Sequence, residues 1–158
     1  MILEKDFEDF VKLLNKYKVA YMIVGGYALA LHGKPRHTGD LDIWIDISED
    51  NAAKLVLVLH EFGMGSIGLE KQDFLKPGFM SQIGYPPLRI DILNGIDGVS
   101  FADAISNMQI IRLENDLILN YIGLNDFLIN KQASGRKQDL ADIREIKKLH
   151  SMGRGRKK

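Results

Sequence analysis

The sequence predicts a domain that mixes α-helices and β-strands. Residues 3–17 repeat apolar side chains at helical spacing, which predicts an amphipathic helix. Residues 88–93, Leu-Arg-Ile-Asp-Ile-Leu, alternate apolar and polar side chains, as a half-buried strand does. A further strand is predicted by the apolar run over residues 19–24, which is rich in β-branched and aromatic side chains. Helices and strands therefore alternate along the chain.

Length and charge bound the architecture and the class of partner. A chain of 158 residues predicts one domain over residues 1–150, followed by a basic, flexible tail over residues 151–158. Four of the 21 basic residues lie in this tail, which leaves 17 basic against 21 acidic side chains in residues 1–150. The domain therefore lacks the strongly basic balance that is typical of nucleic-acid-binding proteins.

Composition also excludes several classes of protein. The chain contains no cysteine, so it has neither a disulfide framework nor a thiolate metal site. No apolar run reaches the roughly 18 residues of a membrane span, and the first residues do not resemble a signal peptide. We therefore expect a cytoplasmic protein with no membrane partner.

Two adjacent glycines, Gly25 and Gly26, follow the predicted strand over residues 19–24. They open a short helix that we expect over residues 26–32. Glycine lets the backbone approach a ligand closely, and the free N–H groups at the start of a helix attract anions. This turn is therefore a candidate phosphate-binding element.

A pair of aspartates, Asp40 and Asp42, begins the next predicted strand over residues 40–47. Side chains alternate along a strand, so both carboxylates point to the same face. Two carboxylates on one face repel each other unless a cation lies between them, and Mg²⁺ or Mn²⁺ prefers such oxygen ligands. Together with the glycine turn, the pair predicts a site for a metal-bound phosphate.

The loop over residues 34–39 leads into this aspartate pair. Arg36 and Thr38 are candidate nucleotide-binding residues because they could face whatever the carboxylates hold, although Arg36 could equally be a solvated loop residue. His32 and His37 have no third nitrogen or sulfur ligand at zinc-like spacing, so we expect them to be structural or solvated.

A third carboxylate, Asp91, interrupts the otherwise apolar strand over residues 88–93. A carboxylate in such a position is costly unless it is paired or bound to a metal. Two alternatives remain open, namely an edge strand with Asp91 in water and an ion pair with Arg89.

The remaining elements surround these motifs. They are a helix over residues 49–62 capped by Ser48, short strands near 66–70 and 79–83, a short helix after Ser100, and strands over 109–113 and 117–122. Two helices follow, over residues 125–134 and 138–150, separated at Gly135.

Lys131, Arg136 and Asp139 lie within and between these two final helices. Spacing alone favours a structural role for this group, in which Asp139 caps a helix and the cations are ordinary surface residues. The basic tail that follows could contact nucleic acid or could only aid solubility.

In their order, these motifs resemble the nucleotidyltransferase superfamily of the polymerase-β type. The matching segments are Val-Gly-Gly-Tyr-Ala-Leu-Ala-Leu-His-Gly, then Arg-His-Thr-Gly-Asp-Leu-Asp-Ile, then Arg-Ile-Asp-Ile-Leu, then a late Lys-Gln-Ala-Ser-Gly-Arg-Lys-Gln-Asp. The resemblance covers about residues 20–148. It is strongest to the small prokaryotic branch that includes the AbiEii-type toxin nucleotidyltransferases.

The resemblance implies a fold and a reaction. The fold would be a mixed β-sheet flanked by helices, with further helices at the C-terminus. The reaction would move a nucleoside monophosphate from an NTP donor to a hydroxyl group. Gly25 and Gly26 would cradle the triphosphate, and Asp40 and Asp42 would ligate Mg²⁺ or Mn²⁺. Asp91 would complete the metal site and help to deprotonate the attacking hydroxyl.

The resemblance assigns supporting roles with less specificity. Lys131 would reach the triphosphate, supported by Arg136 and Asp139. The family often has Gly-Ser where this chain has Gly26-Tyr27, so a serine contact to phosphate is missing, although this branch commonly uses two glycines.

The acceptor and the partners remain open at the level of sequence. The acceptor could be a tRNA end, a protein side chain or a small hydroxylated molecule such as an antibiotic, and a cognate antitoxin would be the partner of a toxin. The alternative is a non-enzymatic member of the superfamily that binds a nucleotide or a partner protein. A third possibility, nucleic-acid binding as the main role, rests only on the basic tail.

Overall fold

The computed structural model describes residues 3–34, 38–85 and 87–156, without the side chains of Tyr85 and residues 152–156. The helices are α1 (Lys5–Lys16), α2 (Gly25–Leu31), α3 (Glu49–Glu61), α4 (Lys71–Leu75), α5 (Phe101–Ala104), α6 (Leu124–Ser134) and α7 (Lys137–Arg156). The strands are β1 (Tyr21–Val24), β2 (Asp40–Ile45), β3 (Met80–Tyr85), β4 (Leu88–Leu93), β5 (Gln109–Arg112) and β6 (Ile118–Tyr121). Short 3₁₀ turns occupy Gly65–Ile67 and Ile105–Asn107.

All six strands form one mixed sheet, in the order β3-β4-β2-β1-β6-β5. Chain neighbours pair antiparallel, as β1 with β2, β3 with β4 and β5 with β6. Two parallel pairings, β2 with β4 and β1 with β6, join these hairpins. The predicted α+β fold, a mixed sheet flanked by helices with two helices at the C-terminus, is confirmed.

Strand β2 lies inside the sheet, and its side chains point alternately to the two faces. Leu41 and Ile43 are completely buried on one face. Asp40, Asp42 and Trp44 alternate with them and point to the other face, where the Trp44 ring packs edge-on against Phe101 of α5 at 5.0 Å between ring centres. The alternation of this strand therefore puts the aspartates on the face opposite the aliphatic core.

The amphipathic pattern of α1 is confirmed, because its apolar stripe is buried and Phe10 packs edge-on against Phe62 at 5.1 Å. The predicted caps of α3 and α5 also form, since Ser48 accepts a hydrogen bond from the backbone of Asn51 and Ser100 accepts one from Asp103. Gly135 ends α6 in a left-handed conformation, as expected of a helix C-terminus.

The predicted strand near residues 66–70 is wrong. A 3₁₀ turn occupies Gly65–Ile67, and the helix α4 follows at Lys71–Leu75. This helix begins with a reciprocal cap in which Glu70 and Asp73 each accept a hydrogen bond from the other's backbone N–H. The buried ring of Phe74 fixes α4 against Phe79. Local capping therefore outweighs the weak strand pattern.

Helix α7 continues through Arg156, into the segment predicted to be a flexible tail. The flexibility of residues 151–158 stays a prediction. In the part of the chain that the structure describes, no helix combines the length and the apolar character that a membrane crossing requires.

Candidate active site

The parallel pairing of β2 with β4 brings the three predicted carboxylates together. In this register Asp42 lies directly opposite Asp91, and Asp40 lies opposite Arg89. Neighbouring strands are about 4.8 Å apart, so facing side chains are in contact range. Strand β3 covers the outer side of β4, and Asp91 is only 6% exposed. The alternative of a solvated edge strand is therefore wrong.

Asp42 has the most perturbed carboxyl group of this face. Burial is the main cause that raises its pKa to about 7, and the charge of Asp91, a hydrogen bond with Asp91 and the charge of Asp40 raise it further. Arg89 acts in the opposite direction. Burial and the neighbouring carboxylates therefore favour the protonated form of Asp42.

Arg89 bridges two of the three carboxylates. Its Nε donates to Asp91 Oδ1 at 2.9 Å and its Nη2 donates to Asp91 Oδ2 at 3.2 Å, which forms a bidentate pair. The same Nη2 donates to Asp40 Oδ2 at 3.0 Å. The hydrogen bond to Asp91 raises the pKa of Arg89, so its guanidinium stays charged. The predicted ion pair between Asp91 and Arg89 is present, and it extends to Asp40.

The donor set fits a hard divalent cation in its chemistry, because three carboxylates offer only oxygen ligands. Over the described ranges, however, no group of three or more histidine, cysteine, aspartate or glutamate side chains is arranged to hold a metal ion. Hydrogen bonds from Arg89 occupy oxygens of Asp40 and Asp91. The metal-binding role of the three aspartates stays a prediction.

Gly25 brings the start of α2 directly against the carboxylate face. Its φ angle is +67°, a conformation that glycine adopts without strain. A Cβ atom at this position would lie 1.9 Å from Asp42 Oδ2, closer than any side chain permits. The glycine therefore lets the backbone touch a carboxylate that every other residue would displace.

Thr38 lies between the glycine turn and β2. A Cβ atom on Gly26 would meet its side chain at 3.1 Å. The hydroxyl of Thr38 accepts a hydrogen bond from the backbone N–H of Asp40 at 3.2 Å, so it fixes the start of the aspartate strand. The predicted nucleotide contact of Arg36 falls outside the described residues.

Of the two histidines His32 and His37, the structure describes His32. His32 is buried, and its ring nitrogen Nε2 lies 2.9 Å from the carbonyl oxygen of Ile122. Burial lowers the pKa of His32, which favours a neutral ring. Its predicted structural role is confirmed, whereas His37 lies outside the described residues.

A cleft of about 410 Å³ separates the carboxylate face from α6 and its C-terminal turn. Gly25 and Asp42 line one wall, and Lys131 and Arg136 line the other. The loop after β4 joins the two walls, because Asn130 and Ser134 of α6 both bond to Asp97. A volume of this size is within the range that binds a nucleotide.

The predicted group of Lys131, Arg136 and Asp139 is also brought together. Lys131 Nζ lies 3.0 Å from Asp139 Oδ1, and Arg136 Nε donates to Asp139 Oδ2 at 2.8 Å. Asp139 is 1% exposed and the side chain of Lys131 is 14% exposed, so the interpretation of Lys131 as an ordinary surface residue is wrong. Burial alone would raise the pKa of Asp139, but hydrogen bonds from Arg136 and Lys131 outweigh it and lower the pKa.

Two further residues, Lys34 and Asp142, belong to this charged group, although sequence reasoning assigned a site role to neither. The completely buried Asp142 accepts a hydrogen bond from Lys34 Nζ at 2.9 Å, and its other oxygen lies 3.9 Å from Lys131 Nζ. Lys34 also pairs with Glu145 at 3.0 Å. The available signal was helical spacing, because Asp142 lies one turn after Asp139 on α7.

A larger cavity, of about 660 Å³, lies away from these groups. It is enclosed by α1, the end of α3 and the aliphatic side of β4, including Leu88 and Ile90. Because these side chains alternate with Arg89 and Asp91, the cavity opens on the opposite face of the sheet. The carboxylate cleft is thus the smaller cavity, and it is the one that Asp42, Lys131 and Arg136 line.

The arrangement agrees with a known fold. A solved protein from Thermotoga maritima, described as a candidate nucleotidyltransferase, superposes with a TM-score of 0.56 at 14% sequence identity. The superposition covers 94% of this chain and 91% of that chain. The fold is that of a nucleotidyltransferase.

A sequence comparison points in the same direction. The profile of the aminoglycoside-2''-adenylyltransferase family matches residues 7–82, just under half of the chain. The matched segment contains the glycine turn and the first two aspartates but ends before Asp91. No curated protein matches the chain significantly. The nucleotidyltransferase superfamily is thus supported by fold and by sequence, at a level coarser than the AbiEii-type branch.

Proposed function

We propose that this chain is a metal-dependent nucleotidyltransferase that transfers a nucleoside monophosphate from an NTP to a hydroxyl acceptor. One observation carries the proposal. A cleft of nucleotide size has Asp42 and Gly25 of the glycine turn on one wall and the cationic side chains of Lys131 and Arg136 on the other. Charges of both signs across one cleft suit a triphosphate accompanied by a cation.

The chain's own groups provide contacts for the donor. Gly25 and Gly26 begin α2 beside Asp42, and their backbone N–H groups would donate hydrogen bonds to the phosphates. Arg136 leaves 77% of its side chain exposed at the cleft while Asp139 orients it, so it can bind phosphate oxygens. Lys131 adds positive charge deeper in the same wall.

The proposed step is a displacement at the α-phosphate. The oxygen of the acceptor forms a bond to this phosphorus, the bond to the β-phosphate oxygen breaks, and pyrophosphate leaves with the electron pair. Asp91, with Asp42 directly opposite, accepts the hydroxyl proton. Bound by Asp40, Asp42 and Asp91, Mg²⁺ or Mn²⁺ would neutralise developing charge on the transferred group. The protein contributes mainly positioning and electrostatic stabilisation.

The proposal for the acceptor rests on the family match and not on the lining of the cleft. The similarity to aminoglycoside-2''-adenylyltransferases supports ATP as the donor and an aminoglycoside hydroxyl as the acceptor. A tRNA end or a protein side chain would be acceptors of the AbiEii-type branch, whose toxin role would also imply a cognate antitoxin.

The donor is tested by calorimetric titration of ATP, GTP, CTP and UTP, each with and without Mg²⁺. We expect Mg²⁺-dependent binding of at least one nucleotide and its loss in Asp42→Asn. Asp116→Asn is the matched control, because Asp116 is exposed on the β5–β6 turn far from the cleft. Binding that is independent of Mg²⁺ and of Asp42 would contradict the proposal.

The acceptor is tested with ATP labelled at the α-phosphate, or with the nucleotide that the titration selects. Purified aminoglycosides, total tRNA and a protein extract are incubated separately with wild type and Asp42→Asn. Label that appears on aminoglycoside only with the wild type supports the acceptor proposed here. Label on tRNA or protein instead would assign the chain to the toxin-like branch, and growth arrest on expression would then be the next measurement.

A further inference from the structure

The carboxylate face contains its own counter-cation, Arg89. This residue lies two positions before Asp91, the strand neighbour of Asp42, and the register places it opposite Asp40. Its guanidinium contacts two carboxylates through three hydrogen bonds of 2.9–3.2 Å. A divalent cation at the same face would share these oxygens with a positive charge, which like-charge repulsion opposes.

The two contacts of Arg89 are not equivalent. Asp91 receives two hydrogen bonds, and its side chain is 9% exposed. Asp40 receives one, and its side chain is 45% exposed. Bidentate, buried pairs are the stronger ones, whereas half-exposed single contacts are easily replaced by water. The contact to Asp40 is therefore the one that can open.

We propose that Arg89 is an exchangeable counter-cation of the active site. A divalent metal ion binds this face as Arg89 releases Asp40, and the triphosphate that arrives with the metal accepts a hydrogen bond from the released guanidinium. This inference rests on the proposed function. It adds a phosphate-binding residue to the site and a reason for metal and triphosphate to bind together.

The chemistry of the side chain supports both roles. A guanidinium keeps its charge at every physiological pH and its planar fork matches phosphate as well as carboxylate. The Arg89 side chain is 29% exposed, so it is accessible from solvent on the face that carries the aspartates. The same positive charge thus opposes a free metal ion but favours a metal ion that carries a polyanion.

The inference predicts effects of opposite sign in one variant. Removal of the charge in Arg89→Gln should increase the affinity for free Mn²⁺ about tenfold, a size that is ordinary for coupling between sites. The same variant should bind the preformed complex of Mn²⁺ with inorganic triphosphate about tenfold more weakly. A distorted site would weaken both interactions, and a residue that only blocks the metal would strengthen both when removed.

The experiment measures free Mn²⁺ by electron paramagnetic resonance and the Mn²⁺–triphosphate complex by calorimetry, in wild type and Arg89→Gln. Arg112→Gln is the matched control, because Arg112 forms an exposed ion pair with Asp116 at the β5 edge of the sheet. It should change neither affinity. Arg89→Lys retains the charge but not the fork, so it should leave free Mn²⁺ binding nearly unchanged and weaken the complex. It also provides the test if Arg89→Gln does not fold.

Two failures are distinguishable. If the wild type binds the Mn²⁺–triphosphate complex in an Asp42-dependent way but Arg89→Gln shifts both affinities in the same direction, the inference is overturned and the proposed function stands. If Asp42→Asn leaves binding of the complex unchanged, the proposed function is overturned and the inference with it.

Discussion

Asp42 and Asp91 face each other across the parallel strands β2 and β4, and burial together with the charge of Asp91 raises the pKa of Asp42. Such a pair keeps a proton at pH values well above the usual range of an aspartate, because water screens the two charges poorly. The relationship links the fold directly to the candidate chemistry. It also makes the stability of the metal-free protein depend on pH.

The first prediction concerns this pH dependence. The pKa of Asp42 is raised to about 7 in the folded protein, against 3.8 for an ordinary aspartate. Between these values the folded protein binds a proton that the unfolded chain has released, so the free energy of unfolding falls as pH rises from about 4 to about 7. We expect Asp42→Asn to be more stable than wild type by ~2–4 kcal/mol at pH 8 and nearly equal at pH 4.

Urea unfolding in the presence of a chelator, repeated across this pH range, measures the difference. Asp116→Asn is again the control, since Asp116 is 83% exposed and its positive φ suits asparagine. It should change stability by less than about 0.5 kcal/mol at any pH. A loss of stability in Asp42→Asn at pH 8 would contradict the assignment.

The second prediction concerns metal addition. Mg²⁺ at ten times its dissociation constant should stabilise the wild type by about 1.4 kcal/mol. The effect should be larger at pH 8 than at pH 5, because the proton on Asp42 competes with the cation. Thermal unfolding with increasing Mg²⁺ measures the shift. An equal shift in wild type and Asp42→Asn would show that the metal binds elsewhere.

Part of this site could be predicted from the sequence, because the positions of some residues depend only on their neighbours along the chain. The shared face of Asp40 and Asp42 follows from the two-residue alternation of a strand. The position of Gly25 follows from the turn between β1 and α2. These inferences need no knowledge of which strands pair.

The rest depends on contacts between distant segments. The approach of Asp91 to Asp42 and of Arg89 to Asp40 requires the parallel pairing of β2 with β4, which neither strand's own pattern reveals. For the same reason, the spacing favoured a helix-capping Asp139 with ordinary surface cations, whereas packing of α7 against α6 buries Asp139.

The third prediction concerns the close approach at Gly25. Gly25→Ala places a methyl group 1.9 Å from the original position of Asp42 Oδ2 at a φ of +67°, so either α2 or Asp42 must move. We expect a loss of stability of about 2–4 kcal/mol and loss of nucleotide binding. Gly78→Ala is a close match in backbone, because Gly78 has a φ of +81° and a Cβ atom there meets nothing within 4 Å. The difference between the two variants therefore isolates the contact with Asp42, and equal costs would contradict it.

The fourth prediction concerns the buried charges of α7. Asp142→Asn removes the buried carboxylate that Lys34 and Lys131 contact, while Glu145 and Asp139 still pair with these cations, so we expect a cost of about 1–3 kcal/mol. Glu145→Gln removes the other, 60% exposed carboxylate that Lys34 contacts, and should cost less than about 1 kcal/mol. Urea unfolding of both variants measures the two costs. Both carboxylates pair with the same ammonium group at nearly the same distance, so the difference in unfolding free energy between the two variants reports the effect of burial. Two small, equal costs would show that Asp142 does not hold the cationic wall in place.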